Sequence, residues 1–231
     1  AGLNTFYTDN DGINYKASNG FKFPVEWGGN NVEQIVAAAD SKQTMYCIVK
    51  EWDDSLWQPL YYLYRSVNKG AKWSKIYTFS EGNDHEVVLW SPLGKPFIYA
   101  LENVDGGTTN TYKIQGTTIT KLNSAPALSN YVPLQFKGVI QKNKTRLYVL
   151  LASCQLYSSG DLGKNWNYVN TVPNVPVEAV FGVSLIDTNK LILGGIPECY
   201  TTVDGGKNLH LVNAWTDYYN DVANKLHSDE R

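Results

Sequence analysis

Short apolar and aromatic runs alternate with breaks rich in Gly, Asn, Asp and Ser along the whole chain. No run approaches the roughly 20 apolar residues that a membrane-spanning helix needs. The runs Val32 to Ala38, Met45 to Val49, Tyr61 to Tyr64, Lys75 to Phe79, Glu86 to Trp90, Phe97 to Leu101, Lys137 to Gln141, Arg146 to Leu151, Phe181 to Ile186 and Lys190 to Leu193 are too short for helices. They are rich in β-branched and aromatic residues, so they predict strands, and the breaks between them predict turns.

One turn recurs. The segments opening at Thr8, Ser66, Ser159 and Thr202 share the pattern Ser/Thr, any, Asp/Asn, any, Gly, any, any, large apolar. Their positions are Thr8, Asn10, Gly12 and Tyr15; Ser66, Asn68, Gly70 and Trp73; Ser159, Asp161, Gly163 and Trp166; and Thr202, Asp204, Gly206 and Leu209. An Asp or Asn side chain can bond its own backbone two residues on, Gly supplies a positive φ, and the closing aromatic is expected to tuck beneath the next strand. Aromatic strands flank each box, so each box is expected to close a hairpin.

Successive boxes start 58, 93 and 43 residues apart, so the middle interval hides one more unit. Thr111 to Leu122 fits it, a hairpin that has lost the box and kept Gly116. With two further runs upstream of each later hairpin, the unit is four short strands in roughly 45 residues, which describes a β-propeller blade. The fold class expected is all-β, a propeller of four-stranded antiparallel blades over 31–80, 85–124, 136–171 and 179–213, with partial blades at 1–20 and 221–231. A blade cut short leaves an uncovered apolar face, so the remainder of a larger propeller or another chain is expected to complete both ends. A ring of five closed blades would need a strand from elsewhere.

Composition changes this picture little. At 231 residues, 43% apolar and 18% charged, the chain can build a core without staples. A formal net charge of −2 removes the basic footprint of a general nucleic-acid binder. The start lacks the charged and apolar regions of a secretory signal, so one was removed or none existed. Cys47, Cys154 and Cys199 lack zinc spacing and are expected as three buried free thiols, or as one Cys154–Cys199 bridge with a thiol left over. Asn143-Lys144-Thr145 is a glycosylation sequon that matters only if a eukaryotic secretory pathway made the chain. Asp9 to Gly12 looks like a calcium loop but lacks the closing Glu, so no metal and no cofactor is expected.

The four boxes resemble the Asp-box, or BNR, repeat of sialidases, of xyloglucan-cleaving family 74 glycoside hydrolases, of sortilin-type receptor domains and of photosystem assembly factors. The resemblance covers nearly the whole chain and implies a single Asp-box propeller over 1–231. It leaves activity open, because box hairpins are structural and the fold hosts unrelated functions. Sialidases grip a carboxylate with three arginines and carry an Arg-Ile-Pro motif; here Arg65, Arg146 and Arg231 are the only arginines and the motif is absent. Together with its aromatic richness, the resemblance implies a secreted or cell-surface protein.

In such a fold the turns joining strands one to two and three to four share one face, with the boxes and Lys69, Lys72, Lys164 and Lys207. The opposite face gathers Glu26, Trp27, Trp52, Asp53, Asp54, Trp57, Asp84, His85, Glu86, Glu102, Asp105, Glu178, Glu198, Trp215, Asp217, Tyr218, Tyr219 and Asp221. Rings stack on sugar C–H faces and carboxylates accept from hydroxyls, so this acidic, aromatic face is the expected binding surface for a glycan or protein ligand. Its platform would be Trp27, Trp52, Trp57, Trp215, Tyr218 and Tyr219, with Trp52 and Trp57 in an unusually long loop that packs on itself or stacks on ligand. The alternative is a glycoside hydrolase drawing an acid and a base from Asp84, Glu86, Asp217 and Asp221, which needs carboxyls roughly 6.5–9.5 Å apart to invert or roughly 5–5.5 Å to retain.

Overall fold

The computed structural model describes residues 5–20, 31–53, 55–79, 85–104, 107–128, 133–173, 180–194 and 198–212, the side chains of His85, Leu134 and Val180 excepted. These residues form strands and turns and no helix. A two-stranded ribbon comes first, β1 (Phe6–Tyr7) and β2 (Lys16–Ala17). Four antiparallel four-stranded sheets follow. The first is β3 (Asn31–Ala37), β4 (Met45–Asp53), β5 (Gln58–Ser66) and β6 (Ser74–Thr78), and the second is β7 (His85–Trp90), β8 (Ile98–Val104), β9 (Thr108–Gln115) and β10 (Thr118–Pro126). The third is β11 (Pro133–Gln141), β12 (Lys144–Leu151), β13 (Gln155–Ser159) and β14 (Asn167–Thr171), and the fourth is β15 (Val180–Val183), β16 (Leu191–Gly194), β17 (Cys199–Thr202) and β18 (His210–Leu211).

Within each sheet the strands pair in chain order, and the first strands β3, β7, β11 and β15 neighbour one another in succession. That is a β-propeller, with the first strands nearest the axis.

The second strands explain the stacking. Successive strand residues point to opposite faces, and in β4, β8 and β12 both faces are buried. In β4, Tyr46 and Ile48 pack toward the second blade while Cys47 and Val49 pack with Trp73 on the other side. In β8, Ile98 and Ala100 face the first blade while Tyr99 and Leu101 face the third. In β12, Leu147 and Val149 face the second blade while Tyr148 and Leu150 face the fourth. The core is thus a series of apolar layers between blades, which is why these strands read as unbroken apolar runs.

Polar side chains staple the layers in repeating positions. From the fourth strand, Asn123 Nδ2 donates to the Asp161 and Leu162 carbonyls of the next box at 3.2 and 3.0 Å, and Asn170 Nδ2 donates to the Gly206 and Lys207 carbonyls, both at 3.1 Å. From the first strand, Gln34 Nε2 donates to Leu89 O at 2.9 Å and Gln34 Oε1 accepts from Leu89 N at 2.6 Å. At the ribbon, Trp73 N donates to Asn19 O at 2.7 Å.

The structure departs from the sequence reading in several places. The β4–β5 ladder continues through Trp52↔Pro59 and Asp53↔Gln58, so the long loop expected there is a protruding hairpin. β11 starts at Pro133 and β15 ends at Val183, because Pro is accommodated as a first strand residue while Ser184–Ile186 turn away. All three cysteines are free, but only Cys47 is buried. Asn143 lies in an exposed turn at positive φ. The partial blade expected at 221–231 lies outside the described residues.

Candidate functional site

The four box turns share one bonding pattern. In each, the Ser/Thr hydroxyl donates to the Asp/Asn carbonyl or carboxylate oxygen, at 2.7–2.9 Å. The same hydroxyl oxygen accepts from the Gly amide at 2.9–3.1 Å. The Asp/Asn Oδ1 accepts a second amide four residues on, at 2.9–3.0 Å. Each turn also places two consecutive residues at positive φ, ending on Gly12, Gly70, Gly163 or Gly206. These bonds engage the hydroxyl and the Oδ1 of every box, so the boxes shape turns. Of the closing side chains Trp73 is buried, Trp166 and Leu209 are half-buried, and Tyr15 is exposed, lying over Gly12.

On the opposite face the first strands open a recess of about 420 Å3 at the axis, lined by Glu33, Gln34, Glu86, Gln135, Phe136 and Lys137 among others. Glu86 accepts from Tyr61 OH at 2.8 Å and has Lys50 Nζ at 4.0 Å, with that ammonium over the Tyr61 ring. Burial first, then the negative charge of Glu86, raises Tyr61 well above the ordinary phenol value, so it stays a donor. Glu86 therefore joins the first blade to the second as well as lining the recess.

The β4–β5 hairpin protrudes at the same end of the fold, its base tied to Glu86 through Tyr61 and Lys50. Its ladder runs three pairs beyond Asn31↔Lys50, the last pair of β3 with β4. Trp52, 42% exposed, lies on the protruding strand, and Trp57, 79% exposed and at positive φ, lies in the turn. Asp53 Oδ1 accepts from the Ser55 and Leu56 amides at 2.8 and 3.1 Å, and its carboxyl is lowered chiefly by the Ser55 hydroxyl. Asp53 is a turn residue rather than a free acid.

Glu102 was expected on this face and is instead fully buried within the second blade, accepting from Asn110 Nδ2 at 2.8 Å and Tyr112 OH at 2.6 Å. Tyr200 OH donates to Glu198, and burial followed by that bond pushes its phenol up to about 12. Trp27, Asp84, Trp215, Asp217, Tyr218, Tyr219 and Asp221 lie outside the described residues, as do Glu26, Asp54, Asp105 and Glu178. Of the four candidate catalytic carboxylates, the described residues thus include Glu86 alone. Sequence reasoning missed Glu33, Gln135 and Lys137, whose signal was their place in first strands that border the axis. Among the described residues no cluster of three or more His, Cys, Asp or Glu could hold a metal ion.

No protein-family model and no curated protein matches the chain. Solved structures do match in fold. A structure of YCF48 bound to D1 peptide superposes with a TM-score of 0.51 at 14% identity over 91% of this chain and 61% of that one. YCF48 from Cyanidioschyzon merolae gives 0.52 at 15% over 87% and 61%. An ulvan lyase of polysaccharide lyase family 25 gives 0.53 at 10% over 85% and 57%. The chain spans about three fifths of the length of these structures. At such identities the likeness establishes the β-propeller fold that the sheet order describes.

Proposed function

We propose that the chain is a binding or scaffold module of the Asp-box type, acting outside the cytoplasm and holding a glycan or protein ligand on its acidic, aromatic face. The observation that carries this reading is the protruding β4–β5 hairpin, which presents Trp52 and Trp57 to solvent at the end of the fold where Glu33 and Glu86 line a recess. An indole held in the open offers a stacking surface, and carboxylates at the same end accept hydroxyl or amide donors. The fold neighbours are compatible with both ligand classes, since one is bound to a peptide and another is a polysaccharide lyase.

The test is binding of the labelled chain to an array of neutral and acidic glycans and to immobilised peptides, with Trp57→Ala and Trp52→Ala beside the wild type. Loss of binding by about tenfold or more in Trp57→Ala is expected for a stacking contact. Binding indifferent to both tryptophans would reject this face.

A hydrolase is the second reading, favoured by Glu33 and Glu86 lining one recess. Release of reducing ends from xyloglucan, abolished by Glu86→Gln in a folded variant, would replace the binding reading with it.

A further inference from the structure

The face that carries the boxes holds a second recess, of about 700 Å3, where the first strands end and turn into the second. This volume falls within the roughly 300–1,000 Å3 of small-ligand sites. Its floor is apolar and buried, formed by Val139 and Phe181. Its rim carries Leu93, 75% exposed, and Leu185, 55% exposed. Lys95 and Lys137 also line it, and no carboxylate does among the described residues. Neither lysine meets an acidic partner among the described residues. The recess thus joins apolar surface to the positive charge of Lys95, while Lys137 stands between it and the recess at the other end of the axis, which it lines together with Glu33 and Glu86.

The rim is built in advance. Ala39 N donates to Lys95 O at 2.9 Å, tying the turn of the first blade to that of the second. Ser91 Oγ donates to Ala37 O across the same seam, and Gln141 Nε2 donates to Ile186 O at 2.6 Å between the third blade and the fourth. A recess held open by such bonds loses little order on binding. Several carboxylates elsewhere on this face are already engaged. Asp161 and Asp204 accept from their own box amides, Asp40 accepts from the amides of Lys42 and Thr44, and Asp187 lies 3.9 Å from Lys190.

We propose that this recess is a docking site for an extended peptide segment that alternates acidic and aliphatic side chains, separate from the ligand on the opposite face. Charge complementarity selects the acidic residues chiefly through Lys95, and the apolar floor takes the aliphatic ones. The bordering strands β7, β11 and β15 are end strands of their sheets, with Leu89 of β7 already bonded to Gln34 and Phe181 N of β15 to Gln135. A flat lipid surface would reach Leu93 and Leu185 on the rim but not Val139 and Phe181 on the floor.

The test is fluorescence anisotropy with the full chain and a short fluorescein-labelled peptide of alternating Glu and Leu, against one of alternating Lys and Leu. Vesicles of phosphatidylserine and phosphatidylcholine form a third arm, read by co-sedimentation. The Glu/Leu peptide is expected to bind, more weakly in high salt, and the Lys/Leu peptide is not. Lys95→Glu should weaken binding by about tenfold or more. Leu185→Ser should weaken it less, and Val203→Ser, on the same face but outside the recess, should leave it unchanged. Circular dichroism confirms that each variant is folded. Equal binding of the two peptides, no binding of the Glu/Leu peptide, or indifference to Lys95→Glu would overturn the proposal. So would sedimentation with the vesicles without peptide binding, which would assign this face to an anionic lipid surface.

Discussion

The outer hairpins of the second and third blades reach the same place in the fold by different chemistry. In the third blade, β13 and β14 share four residue pairs, and the connection is held by Ser159 and Asp161 bonded to the amides of Gly163 and Asn165. In the second blade, β9 and β10 share eight pairs and close on Gly116-Thr117 alone. That blade moves its polar network inward, where Glu102, Asn110 and Tyr112 bond beneath the sheet and Thr109 Oγ1 donates to Asn103 at 2.6 Å. A box lets a short ladder end securely at the surface. Without one, ladder length and a buried network do the same job, and the risk moves from the turn to the core.

If so, the largest loss comes from the buried network. Glu102→Ala leaves the Asn110 amide and the Tyr112 hydroxyl without their acceptor, and Tyr112 packs edge-on against Phe79 across the blade seam. The expected cost is roughly 3–5 kcal/mol by urea unfolding, since buried donors are left unsatisfied. Glu102→Gln keeps one oxygen acceptor and should cost less. A Glu102→Ala variant within about 1 kcal/mol of wild type would show that ladder length alone holds the second blade.

The next contrast compares two glycines. Gly163 sits at φ +84° and a Cβ there would lie 2.0 Å from Thr111 Oγ1 of the second blade, so strain and a clash combine. Gly163→Ala is expected to cost about 2–4 kcal/mol. Gly116 sits at φ +62° with nothing within 4 Å of a Cβ, so Gly116→Ala meets only the left-handed penalty of about 1–2 kcal/mol. Equal shifts of the two urea midpoints would deny that the boxed turn is wedged between blades.

Removing only the box hydroxyl should do less. Ser159→Ala strips the acceptor of the buried Gly163 amide and is expected to cost about 1–2 kcal/mol. Ser159→Thr, the residue of the boxes at Thr8 and Thr202, should recover part of that. Thermal unfolding of the three proteins checks the order.

These regions also show what was legible in the residues. The boxes were legible because one turn chemistry recurs, and Gly116 could be placed because the interval demanded a unit. Strand limits were less so: Trp52 and Asp53 follow Lys50 and Glu51 in a polar stretch, so ladder pairing there was set by the turn that Asp53 closes rather than by alternation. Glu102 shows the limit for single side chains. Its position near a strand end implied exposure, whereas its burial depends on Asn110 and Tyr112 from the neighbouring strand, a tertiary fact with no local signature. The recess residues Glu33 and Lys137 were hidden for the same reason, since their meaning comes from the axis that several strands share.

The smallest expected effect separates boxes that differ by a single atom type. Asp204 occupies the position held by Asn10 and Asn68 in the first two boxes. The Asn208 amide first, then the Thr202 hydroxyl, lower the Asp204 carboxyl from the ordinary 3.8 to about 2. A carboxyl lowered by folding adds stability that is complete above its unfolded value and is lost as the pH falls through its folded value. Asp204 should therefore contribute fully above about pH 4 and lose that contribution on the way to about pH 2. In Asp204→Asn the Oδ1 acceptor for the Asn208 amide remains, as Asn68 Oδ1 retains the Lys72 amide at 2.9 Å, but nothing titrates. The variant should melt slightly lower than wild type at neutral pH, and the gap should narrow as the pH falls from 4 to 2. A gap that stays constant over that range would mean that the carboxylate charge adds nothing to the turn, and that the Asn and Asp boxes are held by the same neutral bonds.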